Sequence, residues 1–97
     1  MNWRVQLDPG VENDLKQLGS SEARRALKAI REKLAEGEPD KIGKTLRKPL
    51  EGCRRIREGD IRIVYRILAQ RRIWILCVGP RRDDEVYAIA KSRMLHG

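Results

Sequence analysis

The chain opens on an alternation. Trp3, Val5 and Leu7 are separated by Arg4 and Gln6, the period-two pattern of a short strand with one buried face. Asp8-Pro9 follows and suits the start of a helix, since the carboxylate can accept from free N–H groups and proline fits the first helical position. Val11, Leu15 and Leu18 then recur at helical spacing as far as Gly19, which predicts a stop. Ser20 or Ser21 is the expected cap of a second helix, with Ala23, Ala26, Leu27, Ile30 and Leu34 inward until Gly37. A turn this short between two helices predicts a helical hairpin.

From Glu38 to Pro49 no period holds. Pro39, Gly43 and Pro49 predict an irregular segment that leaves Lys41, Lys44, Arg47 and Lys48 exposed. Three strands are expected next. Cys53 to Arg57 ends at Glu58-Gly59-Asp60, Ile61 to Leu68 at Ala69-Gln70-Arg71, and Ile73 to Val78 at Gly79-Pro80. The segment Asp83 to Met94 is helical in pattern, with Val86, Ala90 and Met94 inward, and its start Asp83-Asp84-Glu85 complements a helix dipole. The order βααβββα predicts an α+β fold over residues 1–97 as one domain. An N-terminal strand and helical hairpin pack on a mainly antiparallel sheet, followed by a C-terminal helix.

Composition narrows the partners. The 97 residues carry 22 Lys and Arg against 14 Asp and Glu, a formal charge of +8. That excess points to nucleic acid, an acidic protein or an anionic membrane. An amphipathic membrane anchor does not fit, because the basic residues are spread over strand-like and helix-like segments alike. No apolar run has the length of a membrane span, and MNWRVQLDPG lacks the apolar segment of a signal peptide. A cytoplasmic protein is expected. Cys53 and Cys77 have neither metal nor redox spacing and are expected as free thiols. With His96 as the one histidine, no zinc site is expected, and no cofactor.

The placement of arginine changes the picture more than its number. On a strand, Ile61, Ile63, Tyr65 and Ile67 share one face, and Arg62, Val64 and Arg66 share the other. In the preceding strand Arg55 and Arg57 oppose Ile56. If the hairpin covers the isoleucines, the other face presents Arg55, Arg57, Arg62 and Arg66 together. Like charges so placed repel unless an anion intervenes, and the planar fork of arginine suits phosphate. The plainer alternative is a solvated strand face. Gly79-Pro80-Arg81-Arg82 brings Arg81 to the rim of the same sheet. Trp3, Trp74 and Tyr65 read as core, whereas Tyr87 is turned about 100° from Val86, which leaves it able to stack on a base.

RIREGDIRIVY, Arg55 to Tyr65, with Val78-Gly79-Pro80-Arg81 and Glu85-Val86-Tyr87, resembles the RelE/ParE toxin superfamily, and specifically its RelE branch. Asp14 to Leu18 and Leu46 fall where that family puts them. The resemblance implies a type II toxin that cuts messenger RNA in the A site of the 30S ribosomal subunit and is blocked by a cognate antitoxin. It implies a metal-independent reaction in which the ribose 2′-OH attacks the adjacent phosphate, leaving a 2′,3′-cyclic phosphate and a 5′-OH. Arg55 then falls on a lysine proposed as general base, and Arg62 on an arginine that stabilises charge at the phosphate. Arg81 falls on the arginine proposed to aid the leaving 5′-oxygen, and Tyr87 on the tyrosine that positions the nucleotide. Cys53 replaces a second family lysine, with Arg54 as a candidate for its place. Around these four, Lys44, Arg47, Lys48, Arg54, Arg57, Arg66 and Arg82 are expected to bind RNA and ribosome.

Fixed cations lower the barrier to a step that gathers negative charge on phosphate oxygens. Arginine, however, stays protonated and makes a poor base. The acceptor of the 2′-OH proton therefore stays open among Tyr87, His96 and a group supplied by the ribosome. Two other functions also stay open: the ParE branch, which poisons DNA gyrase, and a non-catalytic RNA- or ribosome-binding module.

Overall fold

The computed structural model describes residues 2–82 and 84–96. Its elements are β1 (Arg4–Leu7), α1 (Val11–Leu18), α2 (Ser20–Ala29), β2 (Lys44–Thr45), β3 (Cys53–Glu58), β4 (Ile61–Leu68), β5 (Arg72–Pro80) and α3 (Glu85–His96). They form the expected α+β domain. One sheet runs in the order β1-β5-β4-β3-β2, with β1 parallel to β5 and every other pairing antiparallel.

The alternation along β4 sorts its side chains as the sequence indicates. Ile61, Ile63 and Tyr65 join a core closed over by α1, α2 and the helical turn after α2, through Val11, Ala26 and Leu34. Val64 points the other way, into a second core with Cys53, Leu76, Cys77, Val86 and Ala90 beneath α3. Both faces of the central strands are therefore covered over part of their length, and the arginine face is not wholly open. A register shift at Val64/Tyr65 pairs Val64 with Cys77 but Tyr65 with Ile75. The bulge leaves Leu76 unopposed and turns both Leu76 and Cys77 under α3.

Several local expectations change. The segment expected to be irregular contains β2, whose Lys44 and Thr45 pair with Arg55 and Arg54 and cover the edge of β3. The first helix begins at Val11, not Pro9, because the Asp8 carboxylate accepts from the Gly10 N–H at 3.0 Å and closes a turn first. Gly19, at φ 91°, holds the cap position of α2, while Ser20 lies inside the helix. Leu27 is exposed, since Ala26, Ala29 and Ile30 already fill the inner face. The helix then widens into a π-helical turn, Ile30–Ala35. The last strand runs on to Pro80. The last helix begins at Glu85; the expected start at Asp83 lies outside the described residues. Trp3 and Trp74 are half-buried rather than core, and the Arg71 guanidinium lies 4.6 Å from the centroid of the Trp3 ring.

One ion pair fixes α3. Arg93 donates two hydrogen bonds to Asp14, at 2.6 Å to Oδ2 and 2.9 Å to Oδ1, and a third to the Leu76 carbonyl at 2.9 Å. Asp14 Oδ2 also accepts from the Val78 N–H at 3.0 Å. The guanidinium thus joins α1, the bulged part of β5 and the last helix. Among the described residues no helix is long and apolar enough to cross a membrane.

Candidate functional site

The β3–β4 hairpin, the chain after β5 and the first turn of α3 frame an open cleft of about 460 Å³. Arg55, Arg57, Arg62, Arg81 and Arg82 line it with Tyr87 and Asp84. Each position has a local cause. Arg57 and Arg62 are cross-strand partners either side of the turn at Gly59, whose φ of 58° favours glycine. The Arg81 N–H donates to the Asp60 carbonyl at 2.8 Å, holding the chain that leaves β5 against that turn. The Glu85 N–H bonds the Arg82 carbonyl at 2.7 Å, and Val86 packs over Gly79, so α3 starts beside the arginines.

Arg62 is the deepest of these, with 7% of its surface exposed. Its Nη1 donates to the carbonyls of Gly59 and Ile61, at 2.9 and 3.2 Å. Burial, and then the nearby charges of Arg57, Arg55 and Arg81, push its pKa below the usual arginine value. Arg55 donates from Nη1 to the Tyr87 hydroxyl at 3.0 Å, and its buried Nε has no protein partner. So many cations around one cavity repel one another, and an anion placed among them relieves that repulsion.

A second cavity, of about 540 Å³, adjoins the first and shares Arg55, Asp84 and Tyr87 with it. Lys44, Arg47 and Lys48 line its other side, so three residues from the segment between α2 and β3 reach the site. Together the cavities make a basic groove with the only tyrosine of α3 at its middle. Such a groove can track a phosphate backbone past the Tyr87 ring, which is half-buried and packs in part against the core beneath α3 rather than standing clear of it.

Two of the expected arginines do not join it. Arg54 lies on the isoleucine side of β3 and donates to the Ile42 carbonyl at 3.1 Å, tying down the loop before β2. Arg66 pairs opposite Cys53 and directs Nη1 to Met94 Sδ at 3.0 Å, under the far end of α3. The expected set of Arg55, Arg57, Arg62 and Arg66 is thus divided, because α3 covers the half of the sheet that contains Arg66. His96 also lies apart. Its Nδ1 is 2.8 Å from the Ser92 carbonyl, and nine helical residues put it about 13 Å along the axis from Tyr87.

Burial raises the Cys53 thiol pKa, against a smaller lowering by Arg66, and pushes the Cys77 thiol up to about 12. Both are free cysteines packed as core residues. Asp84 is a part of the site that sequence reasoning missed, having been read only as a partner for the helix dipole. Its proximity to Arg81 and Arg82 in the chain was the one available signal.

Comparison with curated proteins returns no match. Among solved structures, the chain is similar to the RelBE2 toxin–antitoxin complex from Mycobacterium tuberculosis, at 28% identity and a TM-score of 0.75, over 84% of this chain and 100% of that one. It is similar to a mutant of the E. coli toxin RelE in the free state, at 23% identity and a TM-score of 0.75, over 97% and 99% of the two chains. A RelE mutant bound to a RelBc antitoxin peptide matches at 22% identity and a TM-score of 0.64, over 93% and 95%. The last two likenesses are of fold. In sequence, residues 5–85 match the family described as the ParE toxin of type II toxin-antitoxin system, parDE. That span runs from β1 through the arginine hairpin to the first residue of α3, and the chain belongs to the ParE toxin family of type II toxin–antitoxin systems.

Proposed function

We propose that this toxin is a ribosome-dependent endoribonuclease that cuts messenger RNA in the A site by attack of a ribose 2′-OH on the adjacent phosphate. The observation that carries the reading is the meeting of Arg55, Arg62 and Arg81 with Tyr87 on one cavity. The three guanidinium groups stabilise the charge that gathers on the phosphate oxygens, with Arg81 beside the leaving 5′-oxygen. Tyr87 stacks on the base and holds the nucleotide for in-line attack. Lys44, Arg47 and Lys48 hold the flanking backbone or ribosomal RNA, as do Arg57 and Arg82. A cognate antitoxin, acidic where it meets the groove, blocks the toxin by covering these residues.

Primer extension on programmed ribosomes tests the reading. Cuts confined to the A-site codon, and absent without ribosomes, are the expected result. Inhibition of DNA gyrase is the second reading, favoured by the match to the ParE family. It predicts no cuts, no ribosome binding and a DNA-damage response in cells expressing the toxin.

A further inference from the structure

We propose, resting on the endoribonuclease reading above, that Asp84 is the catalytic proton acceptor for the attacking 2′-OH. Asp84 is the one carboxylate among the described residues that lines either basic cavity, and it lines both. The other described acids nearby, Glu58, Asp60 and Glu85, line neither basic cavity. Glu58 is held by Lys33 at 3.1 Å and Arg25 at 3.6 Å, and Glu85 lines a separate cavity between α1 and α3. Asp84 forms no ion pair with the described arginines around it, so its oxygens stay available to a substrate.

Electrostatics sharpens the point. In a groove that only bound RNA, a carboxylate among phosphate-binding arginines would weaken the complex. In a groove that also breaks the chain, it supplies what arginine lacks, an acceptor for the nucleophile's proton. The backbone agrees with an assigned position. Asp84 has a φ of 63°, a left-handed conformation that costs most side chains energy and that aspartate and asparagine tolerate best. Its carbonyl accepts the Tyr87 N–H at 3.0 Å, so the carboxylate and the stacking ring belong to one turn.

In the step, the 2′-O–H bond breaks with the proton passing to Asp84 as the 2′-oxygen bonds to phosphorus. The bond from phosphorus to the 5′-oxygen then breaks. That oxygen leaves with a proton from solvent, and Asp84 returns its own to solvent. The arginines hold the phosphate charge throughout and exchange no proton.

The test is single-turnover cleavage of messenger RNA on programmed ribosomes at saturating toxin, with affinity measured separately on messenger RNA carrying a 2′-deoxy nucleotide at the scissile position. Asp84→Asn keeps the size and the left-handed backbone but removes the acceptor. We expect its rate to fall by roughly 10²–10⁴-fold, with affinity unchanged or tighter. Asp84→Glu regains part of the rate, and Glu85→Gln cuts as the wild type does. Cleavage by Asp84→Asn at the wild-type rate would overturn the assignment. So would a loss of affinity equal to the loss of rate, which would mark a positioning role. If the wild type itself makes no cuts, the endoribonuclease reading fails and the proton acceptor with it.

Discussion

Arg62 shows what the cavity asks of a single residue. A surface arginine points into water, whereas this one is buried and spends one nitrogen on the carbonyls of its own turn. It nonetheless lines the cavity. Little rotamer freedom is left to lose when an anion arrives, and its charge is already surrounded by like charges. Arg66 has the same chemistry but is occupied with Met94. Arg62→Ala should therefore reduce cleavage by about tenfold or more beyond the effect of Arg66→Ala, as fits the loss of one aimed cation. Equal effects would describe a diffuse basic surface. Arg81→Ala and Tyr87→Ala should each abolish growth arrest in expressing cells while the purified proteins still fold and bind antitoxin. If both variants stay toxic, these residues are not the site.

Among the elements, α3 carries the heaviest responsibility, because it brings Tyr87 to the arginines and is itself held by Arg93. Removing Arg93 would leave the buried Asp14 carboxylate without its cation. Arg93→Ala should destabilise the fold by roughly 3–5 kcal/mol, as for breaking one side of a buried pair. The double variant with Asp14→Ala should lose less than the sum of the two, which urea denaturation of all four proteins would measure.

A second element-level consequence concerns alkali. Burial raises the Tyr65 pKa to about 12 from 10.0, and that of Cys77 to about 12 from 9.0. Both groups are neutral in the fold, so their contribution is whole below the unfolded values and is lost as pH rises through the folded ones. The denaturation midpoint should fall between about pH 9 and 12. Tyr65→Phe should flatten the upper part of that fall, although it starts less stable by about 1 kcal/mol for lost hydrogen bonds to the Pro39 and Ile42 carbonyls.

How far the sequence foretold this architecture depended on the range of the interaction involved. Periodicity gave β4 its full length and placed the isoleucines under the helical hairpin, because the pattern of a strand is local. It missed β2, where two polar residues pair only because β3 has an edge to cover. It also placed Arg66 with the other arginines, because nothing near Arg66 in the chain shows where α3 will lie. The cavity residues Arg55, Arg57, Arg62, Arg81 and Tyr87 were legible from alternation and from the family pattern. Asp14 read as part of that pattern rather than as a buried carboxylate, since its partner is 79 residues away.

Across the whole molecule, a charge of +8 predicts that affinity for ribosomes falls steeply as salt rises. The groove has a further consequence for how long the protein lasts. The guanidinium groups around the cavity repel one another, so an anion that binds among them should act as a folding ligand. By mass action, an occupant at a hundred times its Kd adds about 2.7 kcal/mol. A polyanion such as heparin should therefore raise the Tm of the isolated protein, and should do so less for Arg62→Ala. A toxin at work on its target, or silenced by its antidote, would then resist unfolding and proteolysis, while an idle copy would be the first to be cleared.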